Sequence, residues 1–376
     1  MDVSSEMIHA LLPLFLTVGL GASIVTVGII EGVAEAAASV AKVFSGYLSD
    51  RIGRRKPLIL IGYALGALSK PFFALAGAPP MVFAARFGDR IGKGLRGAPR
   101  DALVADVTPD SIRGHAYGVR QALDTAGALI GPLLAIALMA LLANDMRAVF
   151  WFAFIPGAIA VLLVIFGVED RAASAEAKPA RPPIRLVDLR RLDPAFWGIV
   201  GVGIVFTLAR FSEAFLVLKA YNEGLPLALA PLVLVVMNLV YTLGAYPAGA
   251  WSDQASPARL LLWGLAALIA ADLALAFAPG LTGAFVGIAL WGAHMALTQG
   301  LLAKLVAQHA PADLRGSAFG MFNLATGVAM LAASVVAGLL WQHIGPAATF
   351  AAGAGFAALA ASVIVFLAVW RRGRSG

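Results

Sequence analysis

The sequence predicts an all-α integral membrane protein of twelve transmembrane helices, arranged as two pseudo-symmetric six-helix bundles. Composition is the first observation behind this prediction, because 60% of the 376 residues are hydrophobic and only 13% are charged, a balance unlike that of soluble globular domains. Apolar runs of about twenty residues recur, and each can cross about 30 Å of hydrocarbon as a helix. Spans of this length exclude the shorter alternating strands of a membrane barrel. The third observation is an internal repeat that relates the two halves of the chain.

Twelve spans follow from the hydropathy pattern, and they are called helix 1 to helix 12 in chain order. They lie at roughly 2–19, 25–47, 57–77, 80–105, 113–142, 147–167, 194–220, 227–250, 257–277, 281–307, 315–340 and 347–370. Basic residues gather in the even-numbered connections, with four in the stretch from Arg51 to Lys56 and six from Arg171 to Arg191. By the positive-inside rule, both termini and the long middle connection are cytoplasmic. The sequence therefore predicts a multi-pass protein of a bacterial-type inner membrane, and we attribute the net charge of +7 to orientation in the membrane, not to nucleic-acid binding.

The two halves carry similar short sequences at nearly one offset. The stretch VADVTPDSIRGHAYG at 104–118 aligns with VAQHAPADLRGSAFG at 306–320 at an offset of 202. GYLSD at 46–50 aligns with GAWSD at 249–253 at an offset of 203. Two matches at nearly one offset, at the same place in the helix count, indicate a duplication.

The duplication and one long polar stretch define the predicted domains. We expect an N-terminal six-helix bundle at 1–167, a Pro-rich cytoplasmic linker at 168–193 and a C-terminal six-helix bundle at 194–376. Helix 7 is predicted to begin at Pro194, which the offset maps to about nine residues before Met1. The first helix is therefore predicted to be truncated.

The connection between helices 2 and 3 reads GYLSDRIGRRK, from Gly46 to Lys56. Gly46 allows close helix approach and Gly53 permits a tight turn. Asp50 is placed to pair with Arg54 four residues on. This stretch resembles the signature of the major facilitator superfamily, matched at nearly every position in the expected loop.

The resemblance covers the whole chain, and it implies a prokaryotic twelve-helix transporter of that superfamily's fold. In similar transporters an Asp and an Arg of this loop and an acid at the cytoplasmic end of helix 4 latch the two halves together in the outward-facing state. The corresponding latch residues here are Gly46, Asp50, Arg51, Gly53, Arg54 and Asp106. The copy in the second half keeps Gly249 and Asp253 and lacks the basic run, so a symmetric latch is not predicted.

Helix 5 carries GALIGP, with Gly127, Gly131 and Pro132. Such residues in a membrane helix allow close packing and a bend. The stretch resembles the antiporter motif of proton-coupled exporters, although LLAI stands where that motif has its trailing glycines. The resemblance implies efflux coupled to protons, and ordinary helix packing is the alternative explanation.

Helix 4 combines many charges with a transmembrane position. At 100° per residue, all charged side chains of helix 4 between residues 86 and 101 lie within one arc of about 140°. These are Arg86, Asp89, Arg90, Lys93, Arg96, Arg100 and Asp101. Each charge facing lipid at mid-bilayer costs roughly 2.5–3.5 kcal/mol, so this face is predicted to line a wet central cavity. Gly88 and Gly92 lie on the opposite face and are predicted to pack closely against a neighbour.

Partner charges occur on other helices at helical spacing. Helix 5 has Arg120 and Asp124 at i,i+4, and helix 7 has Arg210 and Glu213 at i,i+3. We interpret nine charged residues of helices 4, 5 and 7 as substrate or cavity residues. They are Arg86, Asp89, Arg90, Lys93, Arg96, Arg100, Arg120, Arg210 and Glu213. Structural ion pairing is the alternative for both pairs. Lys70 and Lys219 lie nearer span ends and are predicted to snorkel, and His294 is interpreted as a packed polar residue.

Carboxyl groups inside the membrane are the natural proton carriers, because their charge is costly there unless a cation approaches. Glu31 and Glu35 of helix 2 and Asp124 of helix 5 are the candidates. No phosphate-binding loop or His-Glu-x-x-His motif occurs, so neither ATP drive nor a metal centre is predicted. No nucleophile and base stand out, which argues against an enzyme.

The predicted function is a secondary active transporter that moves a small polar or anionic solute by alternating access. Five bases against two acids on helix 4 favour an anion over an apolar cation. The proton gradient is the expected driving force without further cofactors, the expected direction is efflux by antiport, and the expected state is a monomer in the bilayer. Anion uptake by proton symport is the alternative, and a non-transporting sensor or scaffold is the alternative of another class.

Overall fold

A computed structural model describes residues 1–169, 191–252, 255–311 and 314–372 of the chain. Most of the predicted linker at 168–193 lies outside the described residues, as does Asp253. The described residues form helices and connections, and none of them lies in a strand. The chain is an all-α membrane protein with twelve transmembrane helices.

Ten of these helices are continuous. Their bounds are Ile24–Ile52 for helix 2, Lys56–Leu75 for helix 3, Pro79–Val107 for helix 4, Arg113–Leu141 for helix 5, Met146–Gly167 for helix 6, Leu232–Ser252 for helix 8, Pro257–Phe277 for helix 9, Gly280–His309 for helix 10, Arg315–His343 for helix 11 and Pro346–Arg372 for helix 12. Nine stretches of the described residues are long and apolar enough to cross a membrane by composition. Helix 4 fails that test because of its charges, and helices 1 and 7 fail it because they are interrupted.

Helices 1 and 7 are interrupted at corresponding positions. Helix 1 consists of Asp2–His9, Leu12–Leu14 and a wider π-turn at Phe15–Gly19. Helix 7 consists of Pro194–Leu208 and Ala214–Asn222, with a non-helical segment at 209–213. The repeat offset of 202 maps Ala10, in the first break of helix 1, onto Ser212. The predicted span of helix 7 at 194–220 thus contains a break, as does that of helix 1, and the two breaks are a symmetric feature of the fold.

Helix 1 begins beside the middle of helix 5. A Cβ atom at Gly127 would lie 2.9 Å from the Cβ of Asp2, and one at Gly131 would lie 2.8 Å from the carbonyl oxygen of Val3. Pro132 is buried in the same stretch of helix 5. The GALIGP stretch is therefore the surface on which helix 1 packs, and its glycines are required by close backbone approach.

The two bundles meet at one end of the molecule. The end that carries the connections at 53–55 and 108–112 is called the basic end, and the opposite end is called the far end. Helix 2 packs on helix 11 in its far half, where a Cβ atom at Gly32 would lie 3.0 Å from the Cα of Leu331. The backbone N–H of Val25 also donates to Gln342 Oε1 at 3.3 Å. The bundles are thus closed against each other at the far end.

A charged contact fixes the connection that follows helix 7 at the far end. Lys219 Nζ donates to Glu223 Oε1 at 2.5 Å, and the backbone N–H of Gly280 donates to Glu223 Oε2 at 2.8 Å. The hydrogen bond from Lys219 is the main reason that the pKa of Glu223 lies below its ordinary value. Lys219 is buried and paired, so the prediction that it snorkels is wrong.

Candidate functional site

Helix 4 presents its ionic face to the protein and not to lipid. Arg86, Asp89, Arg90 and Arg96 each expose 3% of their surface or less. Arg100 and Asp101, nearer the basic end, are half-buried, and Lys93 is exposed. Seven charges on one arc are tolerated here because the neighbouring helices and two cavities surround them.

The opposite face of helix 4 contains both packed and open positions. A Cβ atom at Gly92 would lie 2.6 Å from the carbonyl oxygen of Gly62, so helices 3 and 4 touch through their backbones. At Gly88 an added Cβ would meet nothing within 4 Å. The prediction of close packing is thus wrong for Gly88, because helix 3 crosses helix 4 one turn further along.

Buried ion pairs hold the middle of helix 4 against helices 2 and 3. Arg86 Nη2 donates to Glu31 Oε2 at 2.7 Å, and Lys70 Nζ donates to Asp89 Oδ1 at 2.7 Å. Arg90 Nη1 lies 3.3 Å from Glu35 Oε1. Lys70 is 1% exposed, so it does not snorkel; the close contact of helices 3 and 4 keeps its side chain in the bundle, where Ser5 Oγ accepts a second hydrogen bond.

A second network joins helices 4 and 5 nearer the basic end. Arg100 donates to both carboxylate oxygens of Asp124 at 3.3 and 3.1 Å, a bidentate arrangement. Arg120 donates to Asp101 Oδ1 at 2.6 Å and also lies 3.6 Å from Asp124. The i,i+4 pair predicted on helix 5 is present, and Asp124 bridges two arginines. Arg96 instead stacks on the ring of Tyr63, with its guanidinium carbon 5.1 Å from the ring centre.

Two adjoining cavities lie beside these networks. The basic-end cavity has a volume of about 370 Å³, and its charged lining is Asp2, Glu6, Lys42, Lys93, Arg96, Arg100, Asp101, Arg120 and Asp124. The central cavity has a volume of about 260 Å³, and it is lined by Glu6, His9, Glu31, Glu35, Arg90, Lys93, Ala128, Arg210, Phe211, Ser212, Glu213, Asn238 and Met330. Both bundles contribute to the central cavity. Glu6 and His9 from the first segment of helix 1 and residues 210–213 from the break in helix 7 line it.

The break in helix 7 determines where Arg210 and Glu213 lie. Both side chains line the central cavity. The ion pair predicted from their i,i+3 spacing is not formed, because residues 209–213 are not helical and the spacing rule holds only on a helix. Both side chains therefore line the cavity, and they do not form an ion pair with each other.

The signature loop forms its contacts within the N-terminal bundle. Arg55 joins the two acids: its Nη1 donates to Asp50 and its Nε donates to Asp106 Oδ2 at 3.3 Å. Partial burial alone would lower the pKa of Arg55, but the hydrogen bonds to Asp50 and Asp106 raise it. Gly53 has a φ of +70° and ends helix 2 in the left-handed conformation. The described partner of Asp50 is therefore Arg55, the arginine that follows the predicted Arg54.

The remaining latch residues have simpler positions. A Cβ atom at Gly46 would lie 3.4 Å from the Cβ of Ala98, so this glycine supports the contact of helices 2 and 4. Arg51 is exposed at the end of helix 2. The described contacts of Asp50 and Asp106 lie on the N-terminal bundle.

Sequence reasoning missed four polar or adaptable residues of the central cavity: His9, Ser212, Asn238 and Met330. His9 Nδ1 lies 3.2 Å from Glu6 Oε2 one turn away on helix 1, and that i,i+3 spacing was visible in the sequence. No sequence signal singles out Ser212, Asn238 or Met330, because uncharged residues in membrane helices usually serve packing.

The fold and the site together define a class of protein. Two six-helix bundles are related by a repeat, and a polar cavity between them is reached by two broken helices; this is the architecture of secondary transporters. The sequence profile of the Major Facilitator Superfamily matches residues 1–334 and 220–375. The chain belongs to this superfamily, which makes it a membrane transporter and not a member of an enzyme family.

Two relatives illustrate the range of similarity. An uncharacterized MFS-type transporter of Methanocaldococcus jannaschii, MJ1317, is 27% identical over 374 residues, which are 97% of this chain and 92% of the relative. The multidrug resistance protein MdtH of Edwardsiella ictaluri is 34% identical over 132 residues, which are 35% of this chain and 32% of the relative. The first similarity spans the protein, and the second covers about a third of it.

Solved structures show the same fold at low sequence identity. The nucleoside transporter NupG has a TM-score of 0.74 with 15% identity and covers 97% of this chain and 95% of that one. A D-xylose–proton symporter has a TM-score of 0.72 with 17% identity, over 96% and 95% of the two chains. At this identity the likeness concerns the fold.

Proposed function

We propose that the chain is a secondary active transporter that moves a small polar or anionic solute across the inner membrane by alternating access, driven by proton antiport in the direction of efflux. The observation that carries the proposal is the central cavity, which both bundles line at the level of the breaks in helices 1 and 7. A solute bound there contacts both six-helix bundles. Rocking of one bundle against the other would therefore expose the solute first to one side of the membrane and then to the other.

The observed contacts between the bundles support this cycle. Helices 2 and 11 close the far end, whereas the basic-end cavity adjoins the central cavity on the other side. By the positive-inside rule the basic end faces the cytoplasm. The conformation is then open to the cytoplasm, from which an exporter collects its solute.

Proton coupling is proposed for three carboxylates on the walls of the cavities. Glu31, Glu35 and Asp124 contact Arg86, Arg90 and Arg100 of helix 4, respectively. A carboxylate that exchanges its arginine partner for a proton changes the charge of the site, and the released arginine becomes available to an anion. All three arginines that protonation would release from their carboxylate partners belong to helix 4.

The direction is supported by two similarities. Helix 5 carries the GALIGP stretch that resembles the antiporter motif, and about a third of the chain is similar to MdtH, a multidrug resistance protein. Uptake by proton symport is the second candidate, because the same fold occurs in a D-xylose–proton symporter. We propose that the protein works as a monomer in the bilayer, with protons as the coupling ion.

Asp124→Asn is expected to abolish gradient-driven flux. A thermal-shift screen against anionic, cationic and neutral metabolites first identifies a solute, since binding stabilises the folded state by mass action. The purified protein is then reconstituted in proteoliposomes with an imposed pH gradient. Asparagine keeps the shape of the side chain and cannot carry the proton, so flux driven by the gradient should fall to the level of protein-free vesicles, while exchange of solute without a gradient persists.

The matched control is Asp193→Asn at the exposed start of helix 7, where the carboxylate only caps the helix. This variant should keep gradient-driven flux. Full flux in Asp124→Asn would remove Asp124 from the coupling role. If the reconstituted wild type moves no solute that stabilises it, the transport proposal itself is wrong and a sensor or scaffold becomes the better explanation. The sign of the gradient that accelerates export separates antiport from symport.

A further inference from the structure

The charged lining of the central cavity divides into paired and unpaired groups. Eight charged or titratable side chains line it. Five of them make a polar contact within 4 Å: the Glu6 carboxylate lies 3.2 Å from the His9 imidazole, and the ion pairs Glu31–Arg86 and Glu35–Arg90 measure 2.7 and 3.3 Å. Lys93, Arg210 and Glu213 remain. For these three, no ion-pair partner lies within 4 Å among the residues that the structure describes.

The three unpaired groups face one cavity from both bundles. Lys93 extends from helix 4 of the N-terminal bundle, whereas Arg210 and Glu213 belong to the non-helical segment of helix 7 in the C-terminal bundle. Charges within the membrane are costly unless they are solvated or paired. The cavity therefore offers two cations and one anion to whatever enters it.

We propose that the central cavity binds a small zwitterion, whose carboxylate lies between Lys93 and Arg210 and whose ammonium group contacts Glu213. This inference rests on the proposed transport function and names its substrate class. The planar fork of an arginine matches a carboxylate, and a lysine adds a point charge to it. A simple anion would leave Glu213 without a partner, and a simple cation would leave both Lys93 and Arg210 without one.

The volume of the cavity limits the size of this solute. At about 30 Å³ for each water molecule, the 260 Å³ of the central cavity correspond to roughly nine waters. Such a space accepts a molecule of the size of an amino acid. The charges and the volume thus indicate the same chemical class.

The position of the cations also links binding to the transport cycle. Lys93 and Arg210 belong to different bundles, so a carboxylate that contacts both of them joins the bundles at mid-membrane. Without a solute, the two cations repel each other and oppose closure of the basic end. Binding of the zwitterion is therefore expected to favour the occluded conformation.

The test uses zwitterions with graded separation of their charges, together with matched probes that carry one charge. Glycine, β-alanine and γ-aminobutyrate are compared with acetate, propionate and butyrate and with methylamine, ethylamine and propylamine, by thermal shift and titration calorimetry on the purified full chain. At least one zwitterion should stabilise the protein more than its matched anion and amine. Arg210→Gln should weaken its binding by about thirtyfold or more, the effect of removing one partner of a buried charge pair, and Arg210→Lys should restore part of it.

Glu213→Gln discriminates between a zwitterion and an anion. It should remove the advantage of the zwitterion over its matched anion and leave anion binding unchanged or improved. Glu223→Gln, the same substitution in the far-end connection, is the control and should leave both affinities unchanged.

Two results would overturn the zwitterion proposal: no stabilisation by any of the three zwitterions, or equal stabilisation by butyrate and γ-aminobutyrate. If the protein still moves another solute in proteoliposomes, the transport function stands and only the substrate class is wrong. If it moves none, the transport function fails with it.

Discussion

Lys70→Met is expected to lower the free energy of unfolding by about 3–5 kcal/mol, the cost of leaving one member of a buried ion pair without its partner. Lys70 is 1% exposed and Asp89 is 2% exposed, and their 2.7 Å contact joins helices 3 and 4. Methionine fills a similar volume without the charge. The Asp89 carboxylate then keeps only the weaker contacts to Arg86 and Arg90 at 3.9 and 4.0 Å.

The double variant Lys70→Met/Asp89→Leu should recover most of this loss, because replacing a buried pair by apolar groups of similar volume is often neutral. Arg86 and Arg90 keep Glu31 and Glu35 as partners in that variant. Unfolding of both variants in detergent by heat and by denaturant measures the effect. A single variant as stable as the wild type, or a double variant less stable than the single one, would contradict the assignment.

Lys219→Met is the matched control for this prediction. Lys219 also pairs with an acid, but Glu223 lies in a connection at the far end and keeps a second hydrogen bond from Gly280. The Glu223 side chain is 19% exposed, so water can solvate its carboxylate after Lys219 is replaced, and a pair with such an exposed member contributes about 0–1 kcal/mol. The control should therefore lose much less stability than Lys70→Met, although both variants remove one lysine.

Much of the fold could be predicted from the sequence, because helix length and apolar composition are properties of single segments. Nine of the ten continuous helices follow from runs of about twenty apolar residues, and the tenth, helix 4, follows from the helix count in spite of its charges. Its ionic face was predictable because helical periodicity alone places Arg86, Asp89 and Arg90 on one arc. Such properties need no knowledge of neighbouring helices.

The partners of these charges could not be predicted in the same way. Two adjacent arginines follow Gly53, and the direction of the chain after this left-handed residue decides that Arg55 reaches Asp50 and Asp106. The prediction that Lys70 snorkels fails because the depth of this side chain in the bundle depends on where helix 3 crosses helix 4. Sequence spacing restricts each pairing to a few candidates, and tertiary packing selects among them.

The sequence contains even less evidence for the break in helix 7. Residues 209–213 contain neither Gly nor Pro, so no residue in the segment forces the helix to stop. Phe211 packs there against Trp291 and Phe350, with ring centres 5.5 Å apart in both contacts. Packing of this aromatic cluster stabilises the irregular segment. The site of the protein therefore depends on a feature that only the assembled bundle specifies.

The glycines of helix 2 lead to the largest expected conformational effect. A Cβ atom at Gly28 would overlap the carbonyl oxygen of Ser334 on helix 11, and helix 2 cannot move away without opening the far end. Overpacking of this kind costs about 1–3 kcal/mol, which changes the ratio of two conformations by roughly 5- to 150-fold. Gly28→Leu should thus disfavour the observed conformation and favour one that is open at the far end. If the cost is about 3 kcal/mol, the transport rate should fall to a few per cent of the wild-type rate or less.

Site-directed labelling can follow this change directly, because the native chain has no cysteine. Ser334→Cys places a thiol at a position that is 0% exposed in the closed far-end interface, and Gln121→Cys places one on the wall of the basic-end cavity. In the otherwise native chain the first thiol should be protected and the second reactive, and Gly28→Leu should reverse this pattern. Gly88→Leu is the control, since an added Cβ there meets nothing within 4 Å, and it should leave both reactivities unchanged. Unaltered labelling in Gly28→Leu would mean that the contact of helices 2 and 11 does not determine which end of the transporter is open.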